Sequence, residues 1–324
     1  MGPVQNLWLH DMLLKSFLKN GFSKTNGNKS WELNDLQLLF LTSDMAKNFI
    51  DFTSNPLYRK QFFTLEVSMI HNLAKEIAKV IGDEPFNLID IWCGDGLKAV
   101  ELIKALNSVS DKPIPINYCP INASEYLTDL AISNMDKANL PNAISYKAFL
   151  SSCDGYVLRD IGKKLRTSEF TKNVSMLTGG VIACYEINSY LFELSRDFNK
   201  GDVLIMGNGV RTGERLVEID KYKSEGFNNW LKHLMFGLGF SQEDIEFDAR
   251  FGNSRIELLY NLKTDAVKRI DGKKIEFKVG DEFVVAALYK YYAEEFDKFC
   301  SMYFSRADVT IDKDKGYALV ICVK

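Results

Sequence analysis

Seven residues, Asp90-Ile91-Trp92-Cys93-Gly94-Asp95-Gly96, have the composition of a ligand cradle. The apolar run "NLIDIW" leads into them, and a helix-like pattern reaching Asn107 leads out. Gly94 and Gly96 can take positive φ and let the backbone approach a ligand closely. A helix starting near Gly96 offers N–H groups without intrahelical partners. Asp90 can anchor the loop or reach a ligand ammonium through water. A G-x-G-x-x-G dinucleotide loop counted from Trp92 needs glycine where the chain has Trp92, Gly94 and Leu97, so NAD and FAD are not expected. The G-x-x-x-x-G-K-[ST] phosphate loop is also missing from the sequence. A second polar cluster, Glu186, Asn188 and Ser189, closes the apolar run "GGVIACYEI". Glu186 has two readings of equal weight, a substrate contact or a helix N-cap, since carboxylates favour helix N-termini.

Other chemistries find less support. His10, His71 and His233 are far apart, and the six cysteines form no C-x-x-C pair, so no metal site is expected. The net charge is −3 over 324 residues, and "GKKLR" and "KRIDGKK" read as solvated turns, so nucleic acid is not an expected partner. No run approaches the roughly 20 apolar residues of a membrane helix. The amino-terminal residues carry no secretion pattern, and the thiols sit mostly in apolar runs, so a cytoplasmic protein with reduced cysteines is expected.

The elements that must position these residues follow from periodicity. Helical spacing covers residues 5–20 and 33–52, with the polar loop "GFSKTNGNKS" between them, and again Leu65 to Ile81, stopped by Gly82. Apolar strands then alternate with helices: "NLIDIW", "IPINYCPI", "AISYKAF", "GGVIACYEI" and "GDVLIMG" are the expected strands, with helices after the first, second and fourth. Continuous apolar strands of this kind mean a parallel sheet covered on both faces, a doubly wound α/β fold with its ligand at the carboxyl ends of the strands. Beyond Gly209 the pattern turns α+β. A helix over "SEGFNNWLKHLMFGLG" and the strand "SRIELLYNL" precede a hairpin at Asp271-Gly272. A long helix from about Asp281 to Phe304 and two final strands complete the expectation. The implied division is 1–80 as a helical segment contributing to a substrate lobe, 81–208 as the ligand-binding sheet, 209–290 as the α+β substrate lobe, and 291–324 returning to the main sheet.

With the sheet placed, the loop resembles the acidic-x-G-x-G-x-G loop that binds S-adenosylmethionine (SAM) in class I methyltransferases. Some of those families carry Phe or Tyr where this chain has Trp92. Residues 38–324 as a whole resemble the histidine-specific methyltransferase family, whose best-known activity is trimethylation of histidine's α-amine. "FLTSDMAKNFIDFTSNPLY" is similar to the family's segment before the sheet through Phe40, Ser43, Phe49, Thr53, Pro56 and Tyr58. Lys98 matches a lysine of the S-x-K-T turn. "YCPINASE" is similar to Y-V-P-V-D-I-S-E through Tyr118, Pro120, Ser124 and Glu125, and Tyr222 stands at a substrate tyrosine. Ile256 and Glu257 resemble the family's I-E-M strand, although Glu257 is read as solvated or paired.

The resemblance implies a class I, Rossmann-like sheet with a smaller α+β substrate lobe, and SAM held by Asp90, Trp92, Gly94, Asp95, Gly96, Lys98, Asn122 and Ser124. It implies an acceptor pocket of Tyr58, Glu186, Ser189, Tyr222, Ala286 and Leu288, with Glu186, Asn188 and Tyr222 nearest the chemistry. The departures fall at function. The ribose-binding Asp is Asn122, which accepts a hydrogen bond without a carboxylate's charge, and the adenine-region Asp is Ala148. The G-S-T-I-G-N segment is read at Cys184–Ser189, with Asn188 taking over the asparagine's role. The histidine-holding E-I-S triplet is Ala286-Ala287-Leu288. The expected function is therefore SAM-dependent methylation of a small molecule, an amine other than free histidine, by a monomer. The alternative is a degenerate methyltransferase fold serving as a binding or regulatory module.

Overall fold

The computed structural model describes residues 7–25, 27–33, 35–153, 155–211, 219–312, 314 and 316–324. The chain forms two compact units, Met1–Phe52 with Leu216–Tyr289, and Thr53–Arg215 with Lys290–Lys324. In chain order the first elements are α1 (Leu7–Asn20), β1 (Phe22–Thr25), β2 (Asn28–Glu32), α2 (Ser43–Ser54), α3 (Pro56–Tyr58), α4 (Thr64–Asn72) and α5 (Ala74–Ile81). The sheet region adds β3 (Phe86–Ile91), α6 (Leu97–Val109), β4 (Ile116–Asn122), α7 (Glu125–Lys137), β5 (Ala143–Tyr146), β6 (Phe149–Leu150), α8 (Gly155–Leu165), β7 (Lys172–Leu177), α9 (Ile187–Ser195) and β8 (Val203–Gly209). The remainder is α10 (Glu225–Gly237), β9 (Ile245–Gly252), β10 (Arg255–Leu262), β11 (Ala266–Ile270), β12 (Lys273–Phe277), β13 (Glu282–Tyr289), α11 (Ala293–Tyr303), β14 (Arg306–Asp312) and β15 (Tyr317–Val323).

In the larger unit the strand order is β14-β15-β8-β7-β3-β4-β5, with β6 beside β4. Strands β3, β4, β5, β7 and β8 are parallel, and β15 runs antiparallel to β8. Every residue of β3 is buried, as a strand covered on both faces requires. Leu88, Val174, Ile205 and Leu319 pack under Ile70 and Ile77 of α4 and α5 and Leu102 of α6. From β3 the chain runs outward through β4 to β5, then returns to β7 on the other side of β3. The carboxyl ends of β3 and β7 therefore flank a topological switch point, the place where open α/β sheets bind ligands. This is the doubly wound class I architecture expected from the sequence.

The smaller unit holds a five-stranded sheet, β1-β2-β13-β10-β9, and the separate hairpin β11–β12. Its turn is built as Asp-Gly requires, with Asp271 at φ 46° and Gly272 at φ 75°.

Several expected elements differ. The fourth parallel strand is β7, "KNVSML"; "GGVIACYEI" instead opens with Gly179 and Gly180 at positive φ and continues as a 3-10 turn over Val181–Cys184. "GKKLR" begins inside α8, which the sequence reading left out. The loop "GFSKTNGNKS" contains β1 and the start of β2, and the stretch read as helix 33–52 is a 3-10 turn, Leu36–Phe40, followed by α2. The long helix from Asp281 is strand β13 followed by the shorter α11, because β10 and β2 pair with β13 on its two sides. Residues 53–80, expected with the substrate lobe, belong to the larger unit. Residues 5 and 6 of the first expected helix lie outside the described residues. Among the described residues no helix is long and apolar enough to cross a membrane, and no group of three or more His, Cys, Asp or Glu is placed to hold a metal ion.

Candidate cofactor and acceptor site

The loop after β3 makes a tight reversal through three residues of positive φ: Trp92 at 57°, Gly94 at 56° and Gly96 at 72°. Trp92 holds a conformation that disfavours any side chain. The indole is nevertheless buried, and its Nε1 donates to the Tyr185 hydroxyl at 2.9 Å. Tyr185 in turn stacks on Tyr190, ring centroids 4.1 Å apart. The tryptophan thus ties the loop after β3 to the segment after β7.

Gly96 is required on a second count. A Cβ there would lie 2.8 Å from Ala131 Cα of α7 and 2.9 Å from the Tyr118 hydroxyl. Asp95 Oδ1 accepts from the Leu97 N–H at 3.1 Å, and its carbonyl accepts from Asn134 Nδ2 at 2.9 Å. Cys93 N–H donates to the Ile121 carbonyl, and burial pushes its thiol well above the ordinary range, so it is no nucleophile.

Asp90 is buried and accepts from the Tyr118 hydroxyl at 2.9 Å. Burial pushes its carboxyl up to about 7, against the lowering pull of that hydrogen bond and of the Lys98 charge. That bond joins the end of β3 to β4. At the end of β4, Asn122 Oδ1 accepts from the Ser124 N–H at 3.0 Å, and Ser124 leads into α7. Ala148, where the resemblance has an aspartate, is exposed.

Lys98, in the first turn of α6, pairs with Glu66 of α4. Glu66 is fully buried. Its oxygens also accept the Gly179 N–H at 2.9 and 3.1 Å and the Tyr317 hydroxyl. The sequence reading missed Glu66. Its signal was positional: Glu66, Met69, Ile70 and Ile77 share the spacing of one helix face, and that face is the buried one.

Glu186 is the N-cap of α9. It accepts the N–H groups of Asn188 at 3.0 Å and Ser189 at 2.8 Å and the Ser189 hydroxyl at 2.6 Å. Partial burial raises its carboxyl, but these hydrogen bonds outweigh that and hold it below its ordinary value. Asn188 Oδ1 accepts from the Tyr303 hydroxyl of α11. Since β7 ends at Leu177, Glu186 lies beyond a separate 3-10 turn and not at a strand end. Tyr58, also in the larger unit, contacts Phe62.

In the smaller unit, Tyr222 stacks on Phe227 with centroids 5.6 Å apart. Ala286 and Leu288 of β13 stand opposite Leu258 and Ile256 of β10. Glu257, opposite Ala287, is held by Arg250 at 2.7 Å and Arg255 at 2.9 Å.

A family model described as histidine-specific, SAM-dependent methyltransferase matches residues 46–324. The chain belongs to this family. It is accordingly a SAM-dependent methyltransferase, with S-adenosylmethionine as its cofactor. No curated protein matches the sequence. Solved structures similar to it include a SAM-dependent methyltransferase from Clostridium acetobutylicum, at 12% identity and TM-score 0.43, covering 86% of this chain and 98% of that one. A sugar N-methyltransferase from a Streptoalloteichus species is 13% identical with TM-score 0.38, covering 82% and 89%. Magnesium protoporphyrin IX methyltransferase from Synechocystis, with bound S-adenosylhomocysteine (SAH), is 10% identical with TM-score 0.45, covering 89% and 98%. Family membership rests on the family match and not on these three.

The residues present fit this cofactor. The glycine turn is formed, Lys98 is partly exposed beside it, and the end of β4 holds an amide in place of a carboxylate, buried and accepting from the Ser124 N–H.

Proposed function

We propose that this enzyme methylates a small amine less polar than free histidine. The observation that carries the reading is the face of β13 that holds Ala286 and Leu288. Across the register it meets Leu258 and Ile256, which are buried. The resemblance puts a glutamate and a serine at Ala286 and Leu288. A methyl and an isobutyl group cannot pair with a polar acceptor. Each lost hydrogen bond to a charged group costs about 1.5–3 kcal/mol, so affinity for histidine should be largely gone.

SAM supplies an electrophilic methyl group on sulfur. The chain's own residues need only position the acceptor and keep its nitrogen uncharged. We assign the cofactor side to Asp90, Trp92, Gly94, Asp95, Gly96, Lys98, Asn122 and Ser124. For acceptor binding we assign Tyr58, Glu186 and Ser189 in the larger unit and Tyr222, Ala286 and Leu288 in the smaller one.

The test is methyl transfer from isotope-labelled SAM to a panel of amines that includes free histidine, read by mass spectrometry. Turnover of apolar amines with none of histidine is expected. Efficient histidine methylation would sink the reading.

A further inference from the structure

Glu66 is a buried carboxylate that the proposed chemistry does not use, and three groups converge on it. Lys98 Nζ pairs with Oε2. The Gly179 N–H donates to both oxygens, at 3.1 and 2.9 Å. The Tyr317 hydroxyl donates to it from β15. Gly207 of β8 leaves room for it: a Cβ on Gly207 would lie 1.8 Å from Oε1 and 2.6 Å from the Tyr317 oxygen. Gly179 is shaped by the same group, since a Cβ there would stand 2.9 Å from Lys98 Nζ.

These partners come from different parts of the ligand face. Lys98 opens the helix after the cofactor loop. Gly179 opens the turn after β7. Gly207 and Tyr317 belong to the two strands beyond it. A carboxylate taken out of water must be paired and hydrogen-bonded to persist. Here its pairing fixes two loops at once. Lys98 keeps part of its side chain exposed, so it can serve Glu66 and a ligand together.

We infer that Glu66 is a positioning residue for cofactor binding, setting Lys98 and the Gly179 turn with one carboxylate. This rests on the SAM reading of the loop and of Lys98 given above.

The test uses the full chain and calorimetric titration with SAH, well below each variant's melting midpoint. Glu66→Gln keeps the size and removes the charge. Gly207→Ala displaces the carboxylate without changing it. In each, SAH binding weaker by about ten-fold is expected, the equivalent of one charge-assisted contact. Tyr317→Phe withdraws one hydrogen bond and leaves the ion pair. It should weaken binding by about three-fold, and it carries the test should the other two fail to fold. A cycle with Lys98→Met separates positioning from mere stabilisation: Glu66→Gln should add little to the loss already caused by Lys98→Met. Variants that melt earlier but bind SAH as the parent does would make Glu66 purely structural and overturn the inference. A parent chain that does not bind SAH would remove the cofactor reading itself, and the inference with it.

Discussion

Replacing Asp90 with asparagine should make the protein more stable at alkaline pH and not at acid pH. The carboxyl of Asp90 is pushed up to about 7 by burial, and in the unfolded chain it returns to its ordinary value of 3.8. Below 3.8 both states hold the proton, and the group contributes no penalty. Between 3.8 and about 7 the folded state keeps a proton that the unfolded state has released, so stability falls as pH rises. Above about 7 both states are ionised, and the full penalty applies. At about 1.4 kcal/mol per unit it amounts to about 4 kcal/mol. Asparagine removes the ionisation and can still accept from the Tyr118 hydroxyl as the neutral carboxyl does; the charge assistance it forgoes is already contained in the net shift. Asp90→Asn should therefore be stabilised by about 4 kcal/mol at pH 8 and lie within about 1 kcal/mol of the parent at pH 4. Urea unfolding of parent and variant across this range reads the difference. A difference that does not change with pH would refute the reasoning, because it would mean that Asp90 ionises alike in both states.

Three further substitutions probe the same region. Gly96→Ala brings a methyl within 2.8 Å of Ala131 at a φ of 72°, and overpacking alone should cost about 1–3 kcal/mol in urea unfolding; a neutral result would mean that α6 and α7 separate freely. Trp92→Gly relieves about 1–2 kcal/mol of backbone strain but gives up about 3–5 kcal/mol of buried indole, so a lower melting temperature is expected, and a higher one would show that strain dominates. Glu186→Ala removes the cap of α9 and should lower stability by about 1 kcal/mol while leaving SAH affinity as in the parent; a loss of affinity with stability intact would give the carboxylate a role at the ligand.

The sequence was most legible where local pattern and tertiary context agree. "NLIDIW" is apolar throughout because β3 is covered on both sides, Gly82 ends α5 because it takes positive φ, and Asp271-Gly272 suits a two-residue hairpin turn. It misled where a segment's own pattern competes with its neighbours. "GGVIACYEI" is more apolar than "KNVSML", but its paired glycines form a turn, and the more polar segment is the strand because Asn173 and Ser175 sit buried inside the sheet. "EFVVAALY" runs into a true helix and reads as part of it. It is extended because β2 and β10 supply its hydrogen-bond partners.

By itself the sequence determined the fold class, the cofactor and the glycine turn after β3. Burial periodicity and glycine placement are local properties, written residue by residue. The tertiary structure alone decided which polar groups are engaged. Glu186 caps a helix, Asn188 answers Tyr303, and Trp92 is held by Tyr185. Glu66 meets Lys98, Gly179 and Tyr317 across 32, 113 and 251 positions of chain. Pairing of that kind depends on which helix faces and strand ends fold together, and no single segment encodes it.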